Sequence, residues 1–296
     1  MSDAQTTQHT SPTQVHRSPA PAHQAVRNVN FARVVRSEWI KFTTLRSTLW
    51  IIALTIVVMV GLSAMMAWGM TFEAQDPAMA GGGQGDPQPA PADPPGGLGL
   101  IAVTFSYSVG QIVVVVLGVL IATSEYATGQ IRSTLSAVPS RLPVLVAKVL
   151  VTAVSAFILG AVAVALCYLA TQAIISGHDL DIDLSAEGAM QSVLGVPLYL
   201  LAIALFGLAI GFLLRHTAGA ISLVLGVLLV LPMISMIGLD WVQELSHYLP
   251  AAAGERLIMG EMPGAVLSPW EGYAVLGGYV VVLLTAAGVL LRRRDA

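Results

Sequence analysis

Apolar residues fall into long blocks along this chain, separated by short polar stretches, and the block lengths define the elements. A helix needs roughly 20 apolar residues to cross a hydrocarbon core of about 30 Å. Six blocks meet that length, near 49–69, 98–122, 149–175, 192–214, 218–238 and 272–291. They carry no Asp, Glu, Lys, Arg or His except at a terminal turn, as at Arg215 just past the fourth. Lys148 borders the third and can snorkel from it, and Pro197 interrupts the start of the fourth. Only Arg215 to Thr217 separates the fourth block from the fifth, which predicts one long buried helical hairpin. Ahead of the first block, residues 31–48 change pattern. Phe31, Val34, Val35, Phe42 and Leu45 share one helical face, with Arg33 and Arg36 opposite. This predicts an amphipathic interfacial helix, with Trp39 at headgroup level. Glu38 projects from within the apolar stripe and so needs a partner. Lys41, three residues on, is one candidate, and a basic residue of another element, such as Arg132, is the other.

Composition turns the pattern into a class. Only 10% of the 296 residues are charged and 55% are apolar. A soluble domain carries roughly 25% charged residues, so this chain cannot present water with a polar surface all round. The reading is an all-α polytopic membrane protein of the cell membrane with six transmembrane helices. Residues 1–30, rich in Ser, Thr, Gln, Pro, Ala and His, read as a disordered tail, and residues 49–296 as the spanning domain. Lys and Arg collect on the cytoplasmic side of membrane proteins. With both termini cytoplasmic, every Lys and Arg except Arg256 falls inside. All five tryptophans then sit at span boundaries. The formal charge of −3 gives no reason to expect a nucleic-acid partner.

The chemistry the chain lacks narrows its function. Lys41 and Lys148 are its only lysines, and neither follows a glycine, so no phosphate-binding Gly-Lys-[Ser/Thr] loop exists. No HExxH or His-Cys cluster offers a metal, and no polar group inside the spans suits a hydrolase or a proton-coupled carrier. No catalytic residue is expected. Cys167, the one cysteine, lies in an apolar run and reads as a core residue. Of the loops, 70–97 is crowded with Gly and Pro, while Leu239 to Trp270 carries partial helical spacing that predicts short helices capping a cavity. The few polar groups within the spans, Tyr107, Gln111 and Gln172, suggest a hydrophobic or amphipathic cargo.

Between the second and third spans, SEYATGQIRSTLSAVPSR covers residues 124–141, with Ile131, Leu135 and Val138 on one helical stripe. This stretch, with SEWIKFTTLRSTLW before the first span, resembles the permease subunit of type-2 ABC transporters. The resemblance implies an N-terminal elbow helix holding Glu38, Trp39 and Lys41. It also implies a coupling segment seated on the ATPase, comprising Glu125, Tyr126, Gly129, Gln130, Ile131, Arg132, Leu135, Pro139 and Arg141. The implied partners are an ABC ATP-binding subunit, which would hold ATP and Mg, a second permease copy or homologous permease, and membrane lipid. This chain itself would carry no cofactor. The long Gly- and Pro-rich loop departs from the family pattern. A membrane-embedded interaction or regulatory protein without transport is the alternative.

Overall fold

The computed structural model describes residues 30–75, 96–129, 141–178, 180, 182–237 and 239–293. The tail, the Gly/Pro-rich stretch 76–95 and the segment 130–140 lie outside them.

Helix α1, Phe31–Thr44, is capped by Asn30, whose side chain accepts from the amide of Ala32. It turns at Leu45 into α2, Arg46–Gln75. Next come α3, Leu98–Phe105, and α4, Tyr107–Ala127, which form one apolar run bent at Ser106. Helix α5, Arg141–Ile175, begins eight residues before the block that predicted it. Leu142, Val144 and Leu145 continue the apolar run, and Pro143 falls in the first turn, where a missing amide costs little. Helix α6, Ala189–Leu214, keeps Pro197 in its interior. There α5 packs close, because Gly160 presents no side chain to the proline.

Five of these runs are long and apolar enough to cross a membrane: Arg46–Phe72, Leu98–Ala127, Leu142–Ile175, Ala189–Leu214 and Pro269–Arg293. The fifth predicted block behaves differently. Helix α7, Thr217–Leu225, widens into a π turn at Gly226–Val230 and tightens into a 3-10 segment at Leu231–Ile237. Gly226 weakens the α-helix and Pro232 cannot donate to it. The hairpin expected here turns at Arg215, in the left-handed conformation, with His216 capping α7. Its first arm, α6, is buried along most of its length, whereas in α7 only Ala220 and Val224 are. Helices α8, Asp240–Ser246, and α9, Pro250–Met259, fill the stretch expected to form short helices, and α10, Pro269–Arg293, ends the described chain.

The core is built on α4 and α6, which run in parallel. Gly207 meets Val115 and Gly211 meets Ala122, so both glycines of this small-residue pair serve packing within the chain. Buried hydroxyls tie other helices: Ser63 and Thr171 lie 2.8 Å apart between α2 and α5, and Cys167 Sγ lies 3.5 Å from Ser106 Oγ. Val34 of α1 packs on Val144 and Ala147, and Gly288 of α10 faces Leu142 and Leu145. Both ends of the described chain therefore lie at the end of the bundle where α5 begins. All five tryptophans are exposed, as residues facing a lipid boundary would be.

Candidate functional site

Glu38 sits one turn after Val34 on the face of α1 that packs against α5, and it is buried. Its carboxylate finds both kinds of partner that the sequence left open. Oε1 accepts from Lys41 Nζ at 2.7 Å, and Oε2 from Lys148 Nζ at 2.7 Å. Lys148, on the third turn of α5, is 3% exposed, so it does not snorkel to water; its ammonium is neutralised in place. Glu125 completes the group. Its Oε1 accepts from Lys41 at 2.8 Å and from Lys148 at 2.9 Å. Two carboxylates and two ammonium groups thus form a closed, charge-balanced ring joining α1, α4 and α5.

The placement of Glu125 argues that pairing decides its position. A carboxylate in the last turn of a helix faces the negative end of the macrodipole and is disfavoured there. Burial of a charge is tolerable only with close opposite charge and hydrogen bonds, and both lysines of the chain supply them. Burial draws the Lys41 ammonium down, but hydrogen bonds and charge from Glu125 and Glu38 outweigh it and hold Lys41 above the ordinary lysine value. Glu125 Oε2 is buried with no hydrogen-bond partner among the described residues. Beside the ring lies a cavity of about 340 Å³, walled also by Phe42, Leu45 and Ile121.

The remaining candidates divide sharply. Tyr126 points toward α6: its ring meets Phe212 edge-on at 6.5 Å and lies 5.3 Å beneath the Arg215 guanidinium. Gly129 takes a positive φ of 71°, which closes α4 through its amide and the Tyr126 carbonyl. Trp39 is exposed, with its ring 6.3 Å from that of Phe42. Arg141 opens α5. Gln130, Ile131, Arg132, Leu135 and Pro139 lie outside the described residues. The structure therefore brings Glu38, Lys41 and Glu125 together and adds Lys148, which sequence reasoning treated only as a border residue. The need for a partner at Glu38 was legible from its place in an apolar stripe, but not that Lys148 would meet it.

A second polar cluster, which the sequence did not reveal, occupies the other end of α4. Tyr199 donates to Gln111 Oε1 at 2.6 Å, and the rings of Tyr107 and Tyr199 meet edge-on at 5.4 Å. Glu255 of α9 faces all three side chains. Tyr107 and Glu125 lie 18 residues apart on α4, so at 1.5 Å per residue the clusters are separated by about 27 Å. Among the described residues no group of His, Cys, Asp and Glu could hold a metal. Comparison with protein-family models and with curated proteins gives no match to this chain.

Proposed function

We propose that this chain is the non-catalytic permease subunit of an ABC transporter, exporting a hydrophobic or amphipathic substrate. ATP hydrolysis in separate ATP-binding subunits, which carry ATP and Mg, would drive it through the 124–141 segment. One observation carries the reading. Glu125, at the start of that segment, and Lys148, beyond its end, lie 2.9 Å apart on the two helices it connects, and Glu38 and Lys41 fasten the N-terminal helix to the same point. A displacement applied to the segment would therefore move α1, α4 and α5 as one body, which is the rigid coupling such a transporter needs.

Other features agree. Helix α1 lies against the first turns of α5, as an elbow helix would. The chain leaves the ion-ring end at Thr217, whose hydroxyl donates to Thr123, and reaches the opposite end by Glu255. This supports six traversals, the fifth through the α7, π and 3-10 run, with both termini cytoplasmic in the cell membrane. A second permease, identical or homologous, would complete the pathway.

The test is purification of the chain in mild detergent followed by an ATPase assay on the protein that accompanies it. An accompanying ATP-binding subunit with activity is expected. Isolation of the chain from its native membrane with no accompanying ATPase would favour an interaction or regulatory role.

A further inference from the structure

Glu255 sits on the second turn of α9, a helix that buries Ala251, Gly254 and Ile258 against its neighbours. Gly254 permits the approach, because a methyl there would press on the Tyr199 ring and on Leu276. The carboxyl is thereby set among Tyr107 and Gln111 of α4 and Tyr199 of α6.

No positive charge meets it among the described residues. Helices α3 and α4, α6 and the π turn offer no Lys, Arg or His near it, and on α10 the Tyr273 hydroxyl is committed to the Leu198 carbonyl. Arg256, adjacent in sequence, is turned away onto the carbonyls of Leu267 and Gly260 and the sulfur of Met262. The neutral donors are also partly spent. The single Tyr199 proton goes to Gln111 Oε1, and the Gln111 amide donates to the Ser108 carbonyl. A carboxyl set among aromatic rings, with no charge partner among the described residues, either keeps its proton or pairs with a cation.

An apolar cavity adjoins it. Ile258 and Met259 follow Glu255 by three and four residues, on the same face of α9. With Leu100, Phe105, Tyr107 and Met262 they line a space of about 260 Å³. Tyr107 belongs to both, contacting Glu255 and walling the cavity. Aromatic faces attract organic cations, and methionines adapt to varied apolar shapes.

We propose that Glu255, Tyr107, Tyr199 and the adjoining cavity bind an amphiphilic organic cation, its ammonium group held at Glu255 and its apolar body in the cavity. The site stands independently of the ATP-driven reading, because it is complete within one chain. Burial pushes the Glu255 carboxyl up to about 7, against the lowering by its polar neighbours Gln111, Tyr199 and Tyr107. Cation and proton then compete, and the cation gains as the carboxyl ionises.

The experiment is equilibrium dialysis of benzyltrimethylammonium against the purified full chain in an uncharged detergent, at pH 6 and pH 8. Its fixed charge leaves Glu255 as the titrating group. Saturable binding about tenfold tighter at pH 8 is expected by proton linkage, with benzenesulfonate, of opposite charge, not bound. Glu255→Gln, which keeps shape and hydrogen bonding, should weaken binding at pH 8 at least tenfold and abolish the pH difference. Tyr107→Phe should weaken it less. Monodispersity and the thermal transition of each variant establish that it is folded. Proton release on binding at pH 7, measured on the unaltered chain, supplies a readout that needs no variant. Absent binding, equal binding of the anion, no proton release, or undiminished binding by folded Glu255→Gln would each overturn the proposal.

Discussion

Lys148 Nζ lies 2.7 Å from Glu38 Oε2, a contact that spans 110 positions of sequence and fastens the N-terminal helix to the bundle. Both side chains are almost fully buried, so neither has water as an alternative partner. Lys148→Met would leave Glu38 and Glu125 facing each other with only the half-exposed Lys41 between them. Removing one partner of a buried ion pair costs about 3–5 kcal/mol. A clear fall in the thermal transition in detergent is expected. Adding Glu125→Gln to Lys148→Met should recover part of it, because charge balance returns. A double variant no better than the single one would show that charge balance is not what the ring supplies.

The pH dependence of stability should carry the mark of Glu255. Its carboxyl holds a proton to about pH 7 in the folded chain, against 4.5 for an ordinary glutamate. Between those values the folded state binds more protons than the unfolded one, so stability falls as pH rises. The contribution is full below about 4.5 and is lost as pH passes through about 7. Thermal transitions measured from pH 5 to pH 8.5 should decline for the unaltered chain and stay flatter for Glu255→Gln.

Packing of α4 on α6 relies on absent side chains. A methyl on Gly118 would run into the carbonyl oxygen of Ala204, and one on Gly207 into that of Val115, both backbone atoms that cannot rotate aside. Overpacking of this kind costs about 1–3 kcal/mol. Gly118→Ala and Gly207→Ala should each lower thermal stability, whereas Gly277→Ala, where nothing lies within 4 Å, should not. Equal effects at the three positions would contradict the close approach of the two helices.

What could be read from the sequence follows from how far each signal reaches. Long apolar blocks announce helices because burial or lipid must cover them, and five emerged with boundaries shifted mainly at α2 and α5. The fifth block differed because hydropathy does not register the backbone consequences of Gly226 and Pro232. Glu38 could be flagged as needing a partner from its own helical face, since that is local. Lys148 as that partner could not, because the contact depends on how α1 lies across α5. Glu255 gave less warning still. In sequence it is one acid among several in a polar stretch, and only the docking of α9 beside Tyr199 sets it among Tyr107, Gln111 and Tyr199.

The most direct test of the central reading falls on the stripe of residues at 131 and 135. Ile131→Asp with Leu135→Asp, made together, should leave the chain inserted in the membrane and its thermal transition unchanged. The measurement is ATPase activity in the material that co-purifies with the chain, compared between the unaltered and the doubly substituted protein. Activity with the first and its loss with the second is the result predicted for a coupling segment. Equal activity in both would contradict that role for residues 124–141.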